Sequence, residues 1–211
     1  MSLSLLLTHG EESNARIESG LSSEGIDCVT FDAYGRAYAP EDTDFPDADV
    51  GVVYPSRLSE GGVLDALTDI AWVDDAEDLL TTRNKARTVA LLERADVPVP
   101  ETHLLSSPVS DDEVRAAFDA VGAPAVVKPN SASSGRGATL AHDPDTATGV
   151  ADLFGVVHES SLVRDRTFVV QEYIEDAHDY RVMVFGGEYV GSVERNAPGW
   201  KKNVHAGASA R

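Results

Sequence analysis

Apolar positions in the first third of the chain come in short bursts separated by polar stretches of helical spacing. The run "LSLLLTH", bounded by Gly10, reads as a buried strand. "SNARIESGLSSEG" carries helix spacing, with Ser13 or Asn14 as the expected N-cap and Gly25 as the stop. "IDCVTFDA" and "ADVGVVYPS", the latter closed by Pro55, predict a second and a third strand. "GGVLDALTDI" then reads as a helix and "AWVDD" as a short strand. This alternation predicts an open, Rossmann-like α/β layer over residues 1–82.

The period changes at "AEDLLTTRNKARTVALLERADVPVP", which reads as one long helix ended by Pro98. "ETHLLS" predicts a strand, and "SDDEVRAAFDAVG" a helix capped by Ser110 and stopped by Gly122. "AVVKPNSASSGRGATLA" reads as strand, loop and strand, and "TATGVADLFGVVHESS" as a further helix. "TFVVQEYI" is a strand, and "DYRVMVFGGEYVGSVERN" a hairpin turning at Gly186-Gly187. The order from about residue 100 is therefore β-α-β-β-α-β. "NVHAGASAR" carries no pattern of a closing helix or strand.

Charge narrows the partners. The chain has 36 Asp plus Glu against 17 Lys plus Arg, a formal net charge of −19, which argues against nucleic acid. The acids recur in turns and at helix starts ("EDTDFPDAD", "SDDE", "HDPD") between periodic apolar segments. That distribution predicts a folded protein with an anionic surface suited to concentrated salt, hence halophilic, rather than a disordered chain. The single cysteine, Cys28, sits in a predicted strand and fits a reducing interior. The start "MSLSLLLTHG" lacks a basic region and a long enough apolar run for a signal peptide, and no stretch approaches a membrane span. A cytoplasmic protein without a membrane partner is expected.

Only four lysines remain: Lys85, Lys128, Lys201 and Lys202. Where acid and arginine dominate, survivors are enriched at positions that need an ammonium. Lys128 ends a strand ahead of a loop holding Ser133, Ser134, Gly135, Arg136 and Gly137. A compact charge beside backbone N–H groups suits phosphate oxygens, although a plain hairpin turn explains the loop equally well. No GK[ST] follows it, so it is not a Walker A loop, and it leads to a strand, which excludes a dinucleotide fingerprint. Gln171-Glu172 interrupts a buried run, and Asp179 opens the next strand, offering polar edges for a purine and a ribose. Arg195, Lys201 and Lys202 concentrate positive charge, which suits a transferred phosphoryl group.

Four stretches in order, "RNKARTVALLERADVPVPET", "VVKPNSASSGRGATLA", "VVQEYIEDAHDYRVMVFGGEYVGSVERN" and "WKKNVHAGA", resemble the ATP-grasp superfamily. More narrowly, they are similar to RimK-type carboxylate–amine ligases. The resemblance implies a front α/β domain over 1–82 and an incomplete α+β ATP-grasp domain, with one lobe over 83–168 and the start of a second over 169–211. It implies that Lys85 and Lys128 contact nucleotide phosphates and that the loop from Ser133 to Gly137 closes over them. Glu172 and Tyr173 would line the adenine site, Asp179 would hold the ribose, and Lys201, Lys202 and Asn203 would lie near the triphosphate. Arg195 and Arg181 would face an acyl-phosphate.

That family's magnesium ligands, an Asp and a Glu-x-Asn pair, would lie beyond residue 211, and Ala206 stands where the family has another residue type. The resemblance thus implies a C-terminally truncated enzyme that joins a carboxylate acceptor to an amino-acid amine at the expense of ATP and Mg2+. A catalytically incomplete ATP-binding regulatory module is the alternative. Acceptor, amine and homo-oligomerisation are not readable from the sequence. No Ser-His-Asp or Cys-His arrangement offers a rival chemistry.

Overall fold

The computed structural model describes residues 3–8, 11–39, 41, 45–55, 57–160, 166–197, 199–202 and 209–210. The chain divides into two compact units, Met1–Thr82 and Arg83–Arg211. In the first, β1 (Ser4–Leu7), β2 (Asp27–Thr30), β3 (Val50–Val53) and β4 (Ala71–Trp72) form a parallel sheet of order β2-β1-β3-β4. The alternation of strands with α1 (Glu11–Ser22) and α2 (Leu58–Leu67) requires parallel crossovers of this kind. Leu6, Phe31, Ala33 and Leu64 form its core, flanked by Tyr38 and Trp72.

Asp65 ties that core together. It accepts from the Tyr54 hydroxyl at 2.6 Å and from Trp72 Nε1 at 2.9 Å. Burial, and then the bond to Asp65, push the Tyr54 hydroxyl well above the usual tyrosine range. A Cβ on Gly51 would lie 2.2 Å from the Trp72 ring, so β3 passes the indole only because it lacks one. The first helix corrects the expected cap at Ser13 or Asn14, since α1 already begins at Glu11. Glu11 and Glu12 are residue types that the positive end of a helix dipole favours.

In the second unit, β5 (Thr102–Ser106), β6 (Ala125–Pro129), β7 (Thr139–Ala141) and β8 (Thr167–Glu172) form an antiparallel sheet of order β5-β8-β6-β7. Helices α5 (Asp111–Val121) and α6 (Pro144–Ser160) supply Val114, Phe118, Ala147 and Phe154 to a core shared with Leu105, Val127, Phe168 and Val170 of the strands. The β-α-β-β-α-β order expected from the apolar pattern is therefore the order observed. Ser110 caps α5 in a reciprocal box with Glu113, whose carboxyl is held below its usual range by the Ser110 backbone and hydroxyl.

Two expectations fail here. The long helix before Pro98 is two, α3 (Ala76–Arg83) and α4 (Lys85–Arg94). Asn84 between them is extended (φ −102°, ψ 94°), and its side chain accepts the Arg87 N–H, so an internal cap outcompetes the continuous apolar period. The tail, expected to hold no closing strand, supplies β11 (Ser209–Ala210). It pairs with β10 (Glu188–Asn196), which itself pairs with β9 (Asp179–Phe185) through the Gly186-Gly187 turn. Two residues in a strand are too few to leave a periodic signal. Among the described residues no helix is long and apolar enough to cross a membrane.

Removing the α5 cap by Ser110→Ala is expected to lower unfolding free energy by about 1 kcal/mol. Urea denaturation checks this, and an unchanged midpoint would contradict the capping role.

Candidate functional site

Strand alternation sorts the second unit's sheet into two faces. Ala125, Val127, Phe168 and Val170 point to the helices, whereas Val126, Lys128, Val169, Gln171 and Thr102 share the opposite face. Lys128 therefore stands on the face that α5 and α6 leave, among aliphatic neighbours, and is half-buried. Its Nζ donates to Gln171 Oε1 at 2.7 Å. Burial first, and then the charge of Lys85, pull the Lys128 ammonium below the usual lysine range.

The second ammonium comes from the first residue of α4. Asn84, its cap, accepts the Asn130 Nδ2–H at 3.1 Å, and Asn130 Oδ1 accepts the Ala86 N–H at 3.0 Å. These bonds pin the helix start to the end of β6. Lys85 Nζ then donates to the Asn130 carbonyl at 2.8 Å and to the Ala132 carbonyl. The lysine thereby fixes the root of the loop.

The loop doubles back through two turns, Arg136 N–H to Ser133 O at 3.1 Å and Ala138 N–H to Gly135 O at 3.3 Å. Ser133, Ser134 and Arg136 are exposed. Ser134, Gly135 and Gly137 are left-handed, with φ of 58°, 70° and 72°. A Cβ on Gly137 would lie 2.8 Å from Pro129 Cγ, so the returning limb packs directly on the strand end. The arrangement, two ammonium groups at the root of a glycine turn, can receive a polyanion.

The chain matches the RimK-like ATP-grasp domain over residues 82–211. It belongs to that family. A probable alpha-L-glutamate ligase from Methanococcoides burtonii is 34% identical over 143 residues, covering 65% of this chain and 44% of the relative. The ribosomal protein bS6–L-glutamate ligase of Shigella boydii is 33% identical, with the same coverage. The chain thus spans less than half the length of these curated relatives. Among solved structures, a RimK-domain ATP-grasp protein from Sphaerobacter thermophilus superposes with a TM-score of 0.65 at 21% identity, over 90% of this chain and 71% of that one. D-alanine–D-alanine ligase from Bacillus anthracis gives 0.62 at 18%, over 93% and 64%. The ATP-grasp fold is common to them.

Within this RimK-like domain, the residues singled out from the sequence fall into separate groups. Lys85, Lys128 and the 133–137 loop are joined as described. Glu172 ends β8 and its Oε2 accepts the Glu101 N–H at 3.2 Å, while Tyr173 follows it, half-buried. Asp179 and Arg195 face each other across the β9–β10 ribbon in an ion pair with three hydrogen bonds: Nε and Nη2 donate to Oδ1 at 3.0 and 2.7 Å, and Nη2 to Oδ2 at 2.8 Å. Alternation puts Arg181 on the same ribbon face, exposed. Each member of the Asp179–Arg195 pair offers a ligand only the donors or acceptors that the other leaves.

Lys202 Nζ donates to the Ala197 carbonyl at 3.1 Å, and Lys201 Nζ sits 5.1 Å from the Trp200 ring centroid. Asn203 and Ala206 lie outside the described residues. No group of three or more His, Cys, Asp or Glu side chains among the described residues could hold a metal ion, so the residues present do not assemble a magnesium site. The sequence reading missed Asn84 and Asn130. Its one available signal was an Asn directly after the strand-ending Pro129.

Gly137→Ala places a methyl at a left-handed residue against Pro129. It is expected to cost about 1–3 kcal/mol and to lower the melting temperature; an unchanged melt would mean that the loop re-forms without this contact.

Proposed function

We propose that the protein binds ATP with Lys85, Lys128 and the 133–137 loop and uses it to join a carboxylate to an amine. The carboxylate oxygen attacks the terminal phosphorus and ADP leaves, giving an acyl-phosphate. The amine nitrogen then bonds the acyl carbon, the carbon–oxygen bond to phosphate breaks, and phosphate leaves with the bonding pair and takes up the proton the amine gives up. The single observation that carries this reading is the half-buried Lys128 ammonium beside Lys85 at the root of the glycine loop. A compact ammonium suits crowded phosphates better than a planar guanidinium.

Val126, partly exposed on that face, supplies an apolar contact for the base. In this reading Glu172 and Tyr173 border the adenine, Asp179 the ribose, and Arg195 with Arg181 the acyl-phosphate. Lys201, Lys202 and Asn203 lie towards the triphosphate. The catalysis is positioning and electrostatic stabilisation. We expect ATP to enter as its magnesium complex, and no step is assigned to the metal. The glutamate ligases named among the relatives support an amino-acid amine as donor.

The test is calorimetric titration with ATP and magnesium in molar KCl. A hydrogen bond to a charged group is worth about 1.5–3 kcal/mol, so Lys128→Ala is expected to weaken binding about 10- to 100-fold while leaving the melt nearly unchanged. Equal affinity in the variant would remove Lys128 from the site. ATP binding without amide formation by the full-length protein would favour a regulatory module.

The net charge of −19 supports a halophilic, cytoplasmic setting. Thermal stability is expected to rise as KCl goes from about 0.1 M to about 1 M, where the Debye length shrinks from ~10 Å to ~3 Å. A flat or falling melting temperature would contradict it.

A further inference from the structure

Among the described residues Gln171 makes the one side-chain bond of Lys128, and the orientation of its amide follows from proton counting. Gln171 Oε1 accepts from Lys128 Nζ at 2.7 Å, and Gln171 Nε2 donates to Thr102 Oγ1 at 2.6 Å. Thr102 in turn donates its hydroxyl proton to the Pro100 carbonyl at 2.8 Å. A carbonyl only accepts, so the Thr102 hydroxyl has only lone pairs left for Gln171. An ammonium only donates. A flipped amide would set NH2 against NH3+ and carbonyl oxygen against hydroxyl oxygen, so one orientation satisfies all four groups. The register allows it, because Gln171 of β8 lies directly between Thr102 of β5 and Val126 of β6, with Lys128 two residues further along the same face.

We propose that Gln171 is the positioning residue of the phosphate site, holding the Lys128 ammonium on the sheet face opposite α5 and α6 through an amide that Thr102 orients. This rests on the nucleotide reading given above. An amide suits the task better than a carboxylate. Glutamate at this place would hold the ammonium more tightly, but would cancel its charge and repel the phosphates. A neutral acceptor fixes the position and leaves the full charge for the ligand. The charged group acting on Lys128 among the described residues is Lys85 from α4, and β8 contributes the neutral Gln171. Loss of the amide oxygen therefore leaves a half-buried ammonium with a like charge nearby.

With four lysines in the chain, the Lys128 side chain can be assigned by single substitutions and titrated by carbon NMR without nucleotide. In parallel, ATP affinity is measured across pH. In the wild type, affinity is expected to fall as pH rises through the Lys128 midpoint, because phosphates favour the charged form. Gln171→Leu is expected to lower that midpoint and to weaken ATP about tenfold. Thr102→Val, which removes no atom bonded to Lys128, is expected to shift both in the same direction but less. Gln171→Glu is expected to raise the midpoint and still weaken ATP, a split that a merely structural role would not produce.

A Lys128 midpoint unmoved by Gln171→Leu would overturn the proposal whatever ATP does. So would ATP affinity unmoved in Gln171→Leu when Lys128→Ala weakens it about 10- to 100-fold. If the wild type binds no ATP while the midpoints shift as expected, the nucleotide reading falls and takes the phosphate role of Gln171 with it. The hydrogen-bond assignment would then stand alone.

Discussion

Asn130 is the residue on which the geometry at the root of the second unit's glycine loop depends. It is 4% exposed, and five bonds meet on it. Its N–H donates to Thr167 O, its side chain bonds Asn84 and Ala86, and its carbonyl accepts from both the backbone and the ammonium of Lys85. One buried amide thus joins the end of β6, the start of β8 and the start of α4. A buried polar group of this kind is stabilising only when fully satisfied, and costly when any partner is lost. The consequence is positional: two ammonium groups that repel each other are carried by backbone that cannot move apart.

That repulsion is functional in the proposed reaction. Bringing Lys85 near Lys128 depresses the tendency of Lys128 to stay charged, as burial does. Folding energy from the helix-covered face, with Phe168, Val127 and Val170 fully buried, sustains the strain. A phosphate chain relieves it, so part of the unfavourable electrostatics in the protein reappears as affinity for a polyanion. In a chain with net charge −19 this local excess of positive charge also marks out where an anionic ligand can approach.

Much of this could be read in the residues. Lys128 and its loop were visible because lysine is scarce and the Ser/Gly run is local. The core strands were visible because short β-branched and aromatic runs, "AVV" and "FVV", lead into their polar ends. The break at Asn84 was hidden because its cause is a side-chain cap inside an unbroken apolar period. Lys85 was named from the sequence, but its bonds run to carbonyls 45 and 47 positions away, beyond any local pattern. The pairing of Asp179 with Arg195 spans 16 positions, and β11 pairs two residues with the far end of β10. The Gly186-Gly187 turn sets the hairpin register near it. The irregularity between Tyr189 and Gly191 that moves the partner of Asp179 by one, to Arg195, leaves no local pattern, and neither does β11. Gln171 was legible as an anomaly, a polar residue in a buried run, but its role required knowing that Thr102 lies across from it.

The β9–β10 ribbon raises a different question of completeness. Phe185, Tyr189, Val184 and Val182 are more than half exposed, and Phe185 reaches 74%. By alternation Val182 and Val184 face one way and Met183 and Phe185 the other, so apolar groups stand on both faces. A two-stranded ribbon is marginal alone in water, and apolar groups on both faces are a cost that only further packing removes. The Asp179–Arg195 pair sits at the ribbon's far end from this apolar part, half-buried and already ordered. The polar end therefore has its geometry from the strand register alone, whereas the apolar end needs cover.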